Sequence, residues 1–313
     1  MEMELKSETA VVELSDVRKS YGSHTVLPAL DLRLRRGECL ALLGQNGAGK
    51  TTILKLILGL TLPASGEIRY LGSTGAPVAV GRWRHDLGYL PESVSFHDAL
   101  TGREMLTFYA RLKRRARPEC SELLERVGLG AAADKRIGTY SKGMRQRLGL
   151  AQALMGNPSV LLLDEPTTGL DPALRSDLYR LIRERRESGR TTLISSHTLS
   201  EIEQSANRFI ILNQGRVVSD GTLAELRHAA GLPTRLRVSL RPGTTARVVD
   251  AVGDRAATSI VNDATIDLFC ADAAKLDVLR VITNIGPEVT DVEIAPAGLE
   301  QIYAHFTMPE GTR

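Results

Sequence analysis

Aromatic residues are scarce in this 313-residue sequence, which holds one Trp, five Phe and seven Tyr. A surface of interleaved rings for stacking nucleic-acid bases is thereby excluded. Cysteine is also sparse: Cys39, Cys120 and Cys270 lie far apart, which argues against a disulfide or zinc framework and fits a reducing compartment. Neither sign of charge prevails, because 40 Lys plus Arg against 37 Asp plus Glu leave a formal +3. That excess is too small to draw in a polyanion, and no nucleic-acid partner is expected. No stretch approaches the roughly 18 uninterrupted apolar residues of a membrane-crossing helix, and the opening Met1-Glu-Met-Glu-Leu-Lys6 is no secretory leader. The chain is expected to be soluble and cytoplasmic, peripheral on the inner face of the cell membrane if a partner holds it there. What remains is ordinary globular composition, 42% hydrophobic and 25% charged, at a length that suggests about two domains.

Residues 9–228 read as one α/β unit. Strand-type runs occupy 11–17, 26–34 and 38–43, and the last turns directly into a glycine-rich loop followed by an apolar helix over 51–60. Val160 to Leu163 has the continuous apolar character of a buried parallel strand, and 191–195 reads as its neighbour. Between them Asp171-Pro172 opens a helix, with Asp at the cap and Pro in the first turn. Alternation of this kind predicts a mainly parallel sheet covered on both faces. Residues 93–156 lack strand signals and read as a helical insert. Thr222-Leu-Ala-Glu225 starts a short helix that ends near Gly231-Leu-Pro233, a linker. Beyond it, 234–313 read as a small α+β domain in the order βαββαβ, ferredoxin-like, with a terminal helix over 297–306.

Two constellations carry chemistry. Gly44-Gln45-Asn46-Gly47-Ala48-Gly49-Lys50-Thr51 satisfies G-x-x-x-x-G-K-[ST] between a predicted strand and a predicted helix. Glycines let consecutive backbone N–H groups curl around phosphates, Lys50 supplies a compact positive charge, and the helix N-terminus adds its dipole. The Thr51 hydroxyl suits Mg²⁺, a hard cation that takes oxygen ligands. Further on, Val160-Leu-Leu-Leu-Asp164-Glu165 delivers two carboxylates at the C-terminal edge of a buried strand, the edge where open α/β sheets bind ligands. Asp164 is positioned to serve Mg²⁺ and Glu165 to address a water beside a terminal phosphate.

Together with Tyr140-Ser-Lys-Gly143-Met-Arg-Gln-Arg147, Leu163-Asp-Glu-Pro-Thr167, Gly169-Leu-Asp171 and Ser195-Ser-His197, in that order, these residues resemble the ATPase subunits of ABC transporters. The resemblance covers 9 to about 228 and implies a P-loop NTPase core that uses ATP and Mg²⁺. It implies that Tyr21 stacks on adenine, that Gly44 through Thr52 cradle the phosphates, and that Thr51 and Asp164 serve the metal. Glu165 would be the general base and His197 the histidine at the γ-phosphate. Ser141 with Gly143 would form the signature loop, which completes the site of a second copy, so that two ATP molecules sit inside a homodimer; Asp171 would lie in the loop bridging the two. Three departures stand out: the domain beyond about 228 is not part of the general cassette, and two more lie within it. The signature reads Tyr140-Ser-Lys-Gly-Met144, with Lys142 where glycine is usual, and Glu92 stands where the linking loop ordinarily has Gln.

A narrower resemblance, carried by 88–104, 139–154 and 231–237, is to the NosF-type ATPases of Nos transporters, which help assemble the copper sites of nitrous oxide reductase. It implies a NosY-like integral membrane partner and, through it, a NosD-like periplasmic protein. A drug, lipid or polysaccharide exporter subunit is the alternative. A soluble ABC ATPase of DNA maintenance fits less well, since no heptad run interrupts the interval between Lys50 and Ser141. Translation-associated members usually carry two cassettes, and one phosphate loop is present here. The basic run Arg111 to Arg117 reads as a solvated helix end, and the scattered His24, His85, His97, His228 and His305 have no copper-site spacing.

Overall fold

The computed structural model describes residues 9–72, 75–114 and 118–308; the end of the basic run at 115–117 lies outside them. The chain divides into two compact units, 1–222 and 223–313.

The first unit is built on a six-stranded sheet. Strands β1 (Ala10–Tyr21), β2 (His24–Arg35), β3 (Cys39–Leu43), β4 (Ser65–Tyr70), β5 (Leu87–Leu90), β6 (Val160–Asp164), β7 (Thr191–Ser196), β8 (Arg208–Asn213) and β9 (Arg216–Gly221) belong to it or to a smaller companion. The large sheet runs β5-β6-β7-β3-β8-β9, and all its pairings are parallel except β8 with β9. Every residue of β3, β6 and β7 is buried, as strands covered on both faces must be. That is why β3 and most of β6 read as unbroken apolar runs rather than alternations. The companion sheet, β2-β1-β4, is antiparallel throughout. Alternate residues of its long hairpin, Leu30, Leu32 and Leu34 in β2 and Val12 and Leu14 in β1, enter the same core as Leu40, Leu42 and Leu54. The mainly parallel sheet that the sequence predicts is present, and the antiparallel β2-β1-β4 layer beside it is an addition. Its strands also run longer than expected, because their outer ends are polar and edge-like.

Helices fall where periodicity and caps place them. Lys50–Ile57 follows the glycine loop directly, with Gly49 as its cap at φ 102°. In the insert, Gly102–Leu112 begins with a reciprocal capping box between Thr101 and Glu104. Lys142–Leu154 starts from Ser141, whose side chain accepts from Met144 N–H at 3.2 Å. Pro172–Glu187 starts from Asp171, which accepts from Leu174 N–H at 3.0 Å.

The second unit begins with the helix Leu223–Ala230, which packs with the last helix, Leu299–Thr307. Between them β10 (Thr234–Leu240), β11 (Ala257–Asn262), β12 (Thr265–Cys270) and β13 (Val289–Ala295) form an antiparallel sheet in the order β11-β12-β10-β13. With helices Thr245–Val252 and Lys275–Ile285 as the crossovers, this is the ferredoxin-like βαββαβ arrangement. Leu236, Val238, Ile266 and Leu268 close its core against Val248, Val252, Val278 and Ile282. Among the described residues no helix is long and apolar enough to cross a membrane.

Candidate active site

A cleft of about 440 Å³ opens where β3 ends and the helix Lys50–Ile57 begins, lined by Tyr21, His24, Val26, Gln45, Asn46, Gly47, Gly49, Lys50, Thr51, Thr52, Glu92 and Glu165. The loop backbone demands its glycines. Gly47 and Gly49 have φ of 85° and 102°, in the left-handed region. A β-carbon on Gly44 would come within 2.8 Å of Ala48 and 3.0 Å of the Leu212 carbonyl, and one on Gly49 within 2.8 Å of Leu27.

Lys50 is nearly fully buried, and its ammonium donates to the carbonyl oxygens of Gly44 at 2.5 Å and Gln45 at 3.3 Å. It also stands 3.3 Å from Glu165 Oε1. That oxygen is buried yet accepts no hydrogen bond, so Lys50 balances its charge without engaging its lone pairs. Glu165 Oε2, by contrast, lies 2.6 Å from His197 Nδ1 and accepts from His197 N–H at 3.3 Å. One oxygen is tethered by hydrogen bonds, and the other is held only by the Lys50 charge.

The Glu165 backbone is unusual. Its φ is 45°, a left-handed conformation that few residues without glycine's freedom adopt. Ser195 holds it there. The Ser195 hydroxyl donates to Asp164 Oδ1 at 2.6 Å and accepts from Glu165 N–H at 3.0 Å, while the Ser195 carbonyl accepts from the same N–H at 3.3 Å. β6 and β7 are adjacent with Asp164 opposite Ser195, so the two strands fix both acids together. Asp164 is almost wholly buried. Tyr89, between the acids, is pushed up to about 12 first by burial and then by the charges of Asp164 and Glu92.

Ser141, Gly143 and Asp171 do not line this cleft. They gather elsewhere on the same unit: a β-carbon on Gly143 would stand 3.1 Å from the Gly169 carbonyl. Ser141 and Asp171 are exposed, and each caps its own helix. Lys142 lays its aliphatic stem against Gly169, whose φ of 79° leaves room for it. Tyr21 is half exposed, with Lys19 Nζ 5.0 Å from its ring centroid.

Sequence reasoning passed over three contributors. His24 and Val26 reach the cleft because the Gly22-Ser23 turn pairs Tyr21 with His24; that Gly-Ser dipeptide between two apolar runs was the available signal. Ser195 lies in the Ser195-Ser-His197 motif, but its own role is invisible there, since its bond to Asp164 is long-range and leaves no mark in spacing.

The cleft offers the Thr51 and Thr52 hydroxyls and the Glu92 and Glu165 carboxylates, with the buried Asp164 next to Glu165 at the end of β6. Among the described residues, His, Cys, Asp and Glu form no cluster of three or more that could hold a metal by themselves. Such a sparse, all-oxygen set fits Mg²⁺, which keeps several waters and takes the rest of its ligands from phosphate.

A glycine-rich phosphate loop after β3, an acid pair at the end of β6, two places away in the same mainly parallel sheet, and a helical insert define an ATP-binding motor domain. The family model described as ABC transporter matches residues 27–168. The daunorubicin resistance ATP-binding protein DrrA3 of Streptomyces coeruleorubidus is 35% identical over 310 residues, covering 96% of each chain. The Nod factor export ATP-binding protein I of Rhizobium etli is 38% identical over 214 residues, 67% of each chain. A solved structure described as an ATP binding subunit of an ABC transporter superposes with a TM-score of 0.64 at 32% identity, over 71% of this chain and 93% of the other. The chain belongs to the ABC transporter ATP-binding family, and ATP hydrolysis coupled to transport follows from that membership.

Proposed function

We propose that this chain is the motor of an exporter, working as a homodimer bound to an integral membrane subunit. The observation that carries the chemical part is the carboxylate of Glu165 in the wall of a glycine-lined cleft, with Oε2 held by His197 and Oε1 bound by no hydrogen bond, only by the Lys50 charge 3.3 Å away. When ATP enters, its β- and γ-phosphate oxygens compete with the Gly44 and Gln45 carbonyls for the Lys50 ammonium, and the amides of Asn46 to Thr52 surround them. Thr51, Asp164 and Glu92 would hold Mg²⁺, which supplies charge neutralisation at the phosphates. With Lys50 drawn onto phosphate, Glu165 Oε1 is free to accept a proton from the attacking water. His197, anchored to Oε2, keeps the carboxylate turned toward the cleft and offers its remaining ring nitrogen to the γ-phosphate. Tyr21 and Val26 form the wall for the adenine.

The relatives above are named for drug resistance and Nod factor export, which supports a small-molecule cargo. The narrower NosF-type role, with NosY-like and NosD-like partners in copper-site maturation, rests on the segments 88–104, 139–154 and 231–237 alone, and the export reading is favoured over it. Identifying the integral membrane protein that co-purifies with the chain separates the two. For the chemistry, Glu165→Gln is expected to lower turnover at least about a hundredfold with ATP affinity intact, because the base is lost and the phosphate cradle remains. Lys50→Ala is expected to weaken ATP binding itself. Retained steady-state hydrolysis in the first variant, or unchanged affinity in the second, contradicts these roles.

A further inference from the structure

The ferredoxin-like sheet buries one face beneath its two crossover helices. On its other face Arg235 lies between Phe269 of β12 and Ala295 of β13 in one cross-strand row. A cavity of about 590 Å³ opens over that row, with Leu232, Pro233 and Gln301 among its walls. It is larger than the nucleotide cleft and falls in the usual size range of small-molecule sites.

The chemistry of this cavity is one-sided. Arg235 Nε is shut off from solvent with no acceptor, and the guanidinium forms no ion pair among the described residues. The same-face acid one pair along, Asp267, is already held by Arg237 through two bonds of 2.8 and 2.9 Å. Gln301 gives its amide oxygen to Gly298 N–H at 3.1 Å, leaving its N–H₂ as the available end. The side-chain polar groups are therefore donors, set among Phe269, Leu232, Pro233 and the small Ala295. The buried Nε itself lies behind the cavity surface, whereas the terminal Nη groups, which make no hydrogen bond and are not cut off from solvent, are the donors an incoming oxyanion would meet.

We propose that this cavity binds a small organic anion with an apolar body, an aromatic or aliphatic carboxylate, with its carboxylate on Arg235 and its body against Phe269 and Leu232. A phosphate ester is disfavoured, because a single cation faces the cavity and its walls are mainly apolar. Arg235 makes no hydrogen bond or ion pair that its replacement would break, and its charge is the smallest of the influences on Asp267, which Arg237 holds directly, so Arg235→Gln is expected to leave the fold intact.

The test uses the full chain and 3-phenylpropionate as probe, with 3-phenylpropionamide as its uncharged counterpart, measured by titration calorimetry. Saturable binding of the carboxylate at millimolar concentration is expected. It should weaken at least about tenfold in Arg235→Gln and for the amide, as loss of a charge-assisted bond requires. Ala295→Leu, which fills the cavity from the opposite side of the row, should remove binding as well. ATP affinity and the far-ultraviolet circular dichroism spectrum should match wild type in both variants. Absence of saturable carboxylate binding at millimolar probe, or equal binding by wild type and Arg235→Gln, overturns the proposal.

Discussion

Ser195 shows how one hydroxyl can govern a site without touching substrate. It bonds Asp164 Oδ1 and accepts from the Glu165 N–H, which ties together the acid proposed to serve Mg²⁺ and the acid proposed to activate water. Removing it leaves two buried bonds unmade and frees Glu165 from a backbone conformation at φ 45° that is otherwise unfavourable. Ser195→Ala is therefore expected to lower kcat about tenfold with little change in KM for ATP, a loss of about 1.4 kcal/mol in the reacting state. Ser195→Thr, which keeps the hydroxyl, should recover most of that loss, and an Ala variant with wild-type kcat counts against the bridge. A second residue bears on stability. The Arg237 guanidinium holds the Asp267 carboxyl below the usual carboxylate range, with direct hydrogen bonding as the leading cause. A folded-state value below the unfolded one adds stability at neutral pH, which is lost as pH falls through the ordinary carboxylate range toward the lowered folded value. Acid titration of the unfolding midpoint should show a shallower decline in Asp267→Asn than in wild type.

Elements place these residues, and glycine decides how closely they approach. In β5, Gly88 sits where a β-carbon would collide with the Ala153 carbonyl and meet Leu161 and Pro158 at 2.8 and 2.9 Å. The strand can thus lie hard against the helix that begins at the signature loop. Gly88→Ala is expected to cost about 1–3 kcal/mol, the range for overpacking a closed site. Gly81 gives the contrast: it lies within the helix Val80–His85 with open space around it. Gly81→Ala should stabilise by about 0.5–1 kcal/mol, because it restricts the unfolded chain at a helix-compatible position. Thermal unfolding of the pair checks both signs. The same contrast explains what the sequence could and could not reveal. Buried parallel strands such as 160–164, cap residues such as Ser141 and Asp171, and the glycines of the phosphate loop all leave local marks, because each answers a constraint within a few residues. The β1–β2 hairpin leaves a local mark in Gly22-Ser23, whereas the pairing of β1 with β4 and the Ser195 bridge answer constraints between segments tens of residues apart, which neither alternation nor spacing encodes. The ferredoxin-like order was legible because its six elements follow one another with short turns.

At the scale of the molecule, the first unit holds an incomplete reaction centre. The cleft presents the loop amides, Lys50, Glu92 and Glu165, while Ser141, Gly143 and Asp171 stand on an exposed surface of the same unit that does not border it. The helix Lys142–Leu154 directs its N-terminal amides outward from Ser141, and a helix start of this kind suits a phosphate. A γ-phosphate bound in one chain's cleft is therefore expected to be closed over by the Ser141 surface of a second copy, with the nucleotide joining the two. This predicts that Glu165→Gln, which binds ATP without consuming it, doubles in mass by sedimentation velocity at saturating Mg-ATP and remains a monomer with ADP. Adding Ser141→Arg, whose bulk and extended side chain obstruct the joint, should abolish the dimer while leaving ATP affinity unchanged. Lys142, whose stem packs on Gly169 rather than projecting freely, should be tolerated at the joint, so that Lys142→Gly alters the dimer's salt sensitivity more than its existence. A Glu165→Gln chain that is saturated with ATP and still sediments as a monomer would show that the cleft is completed by something other than a second copy.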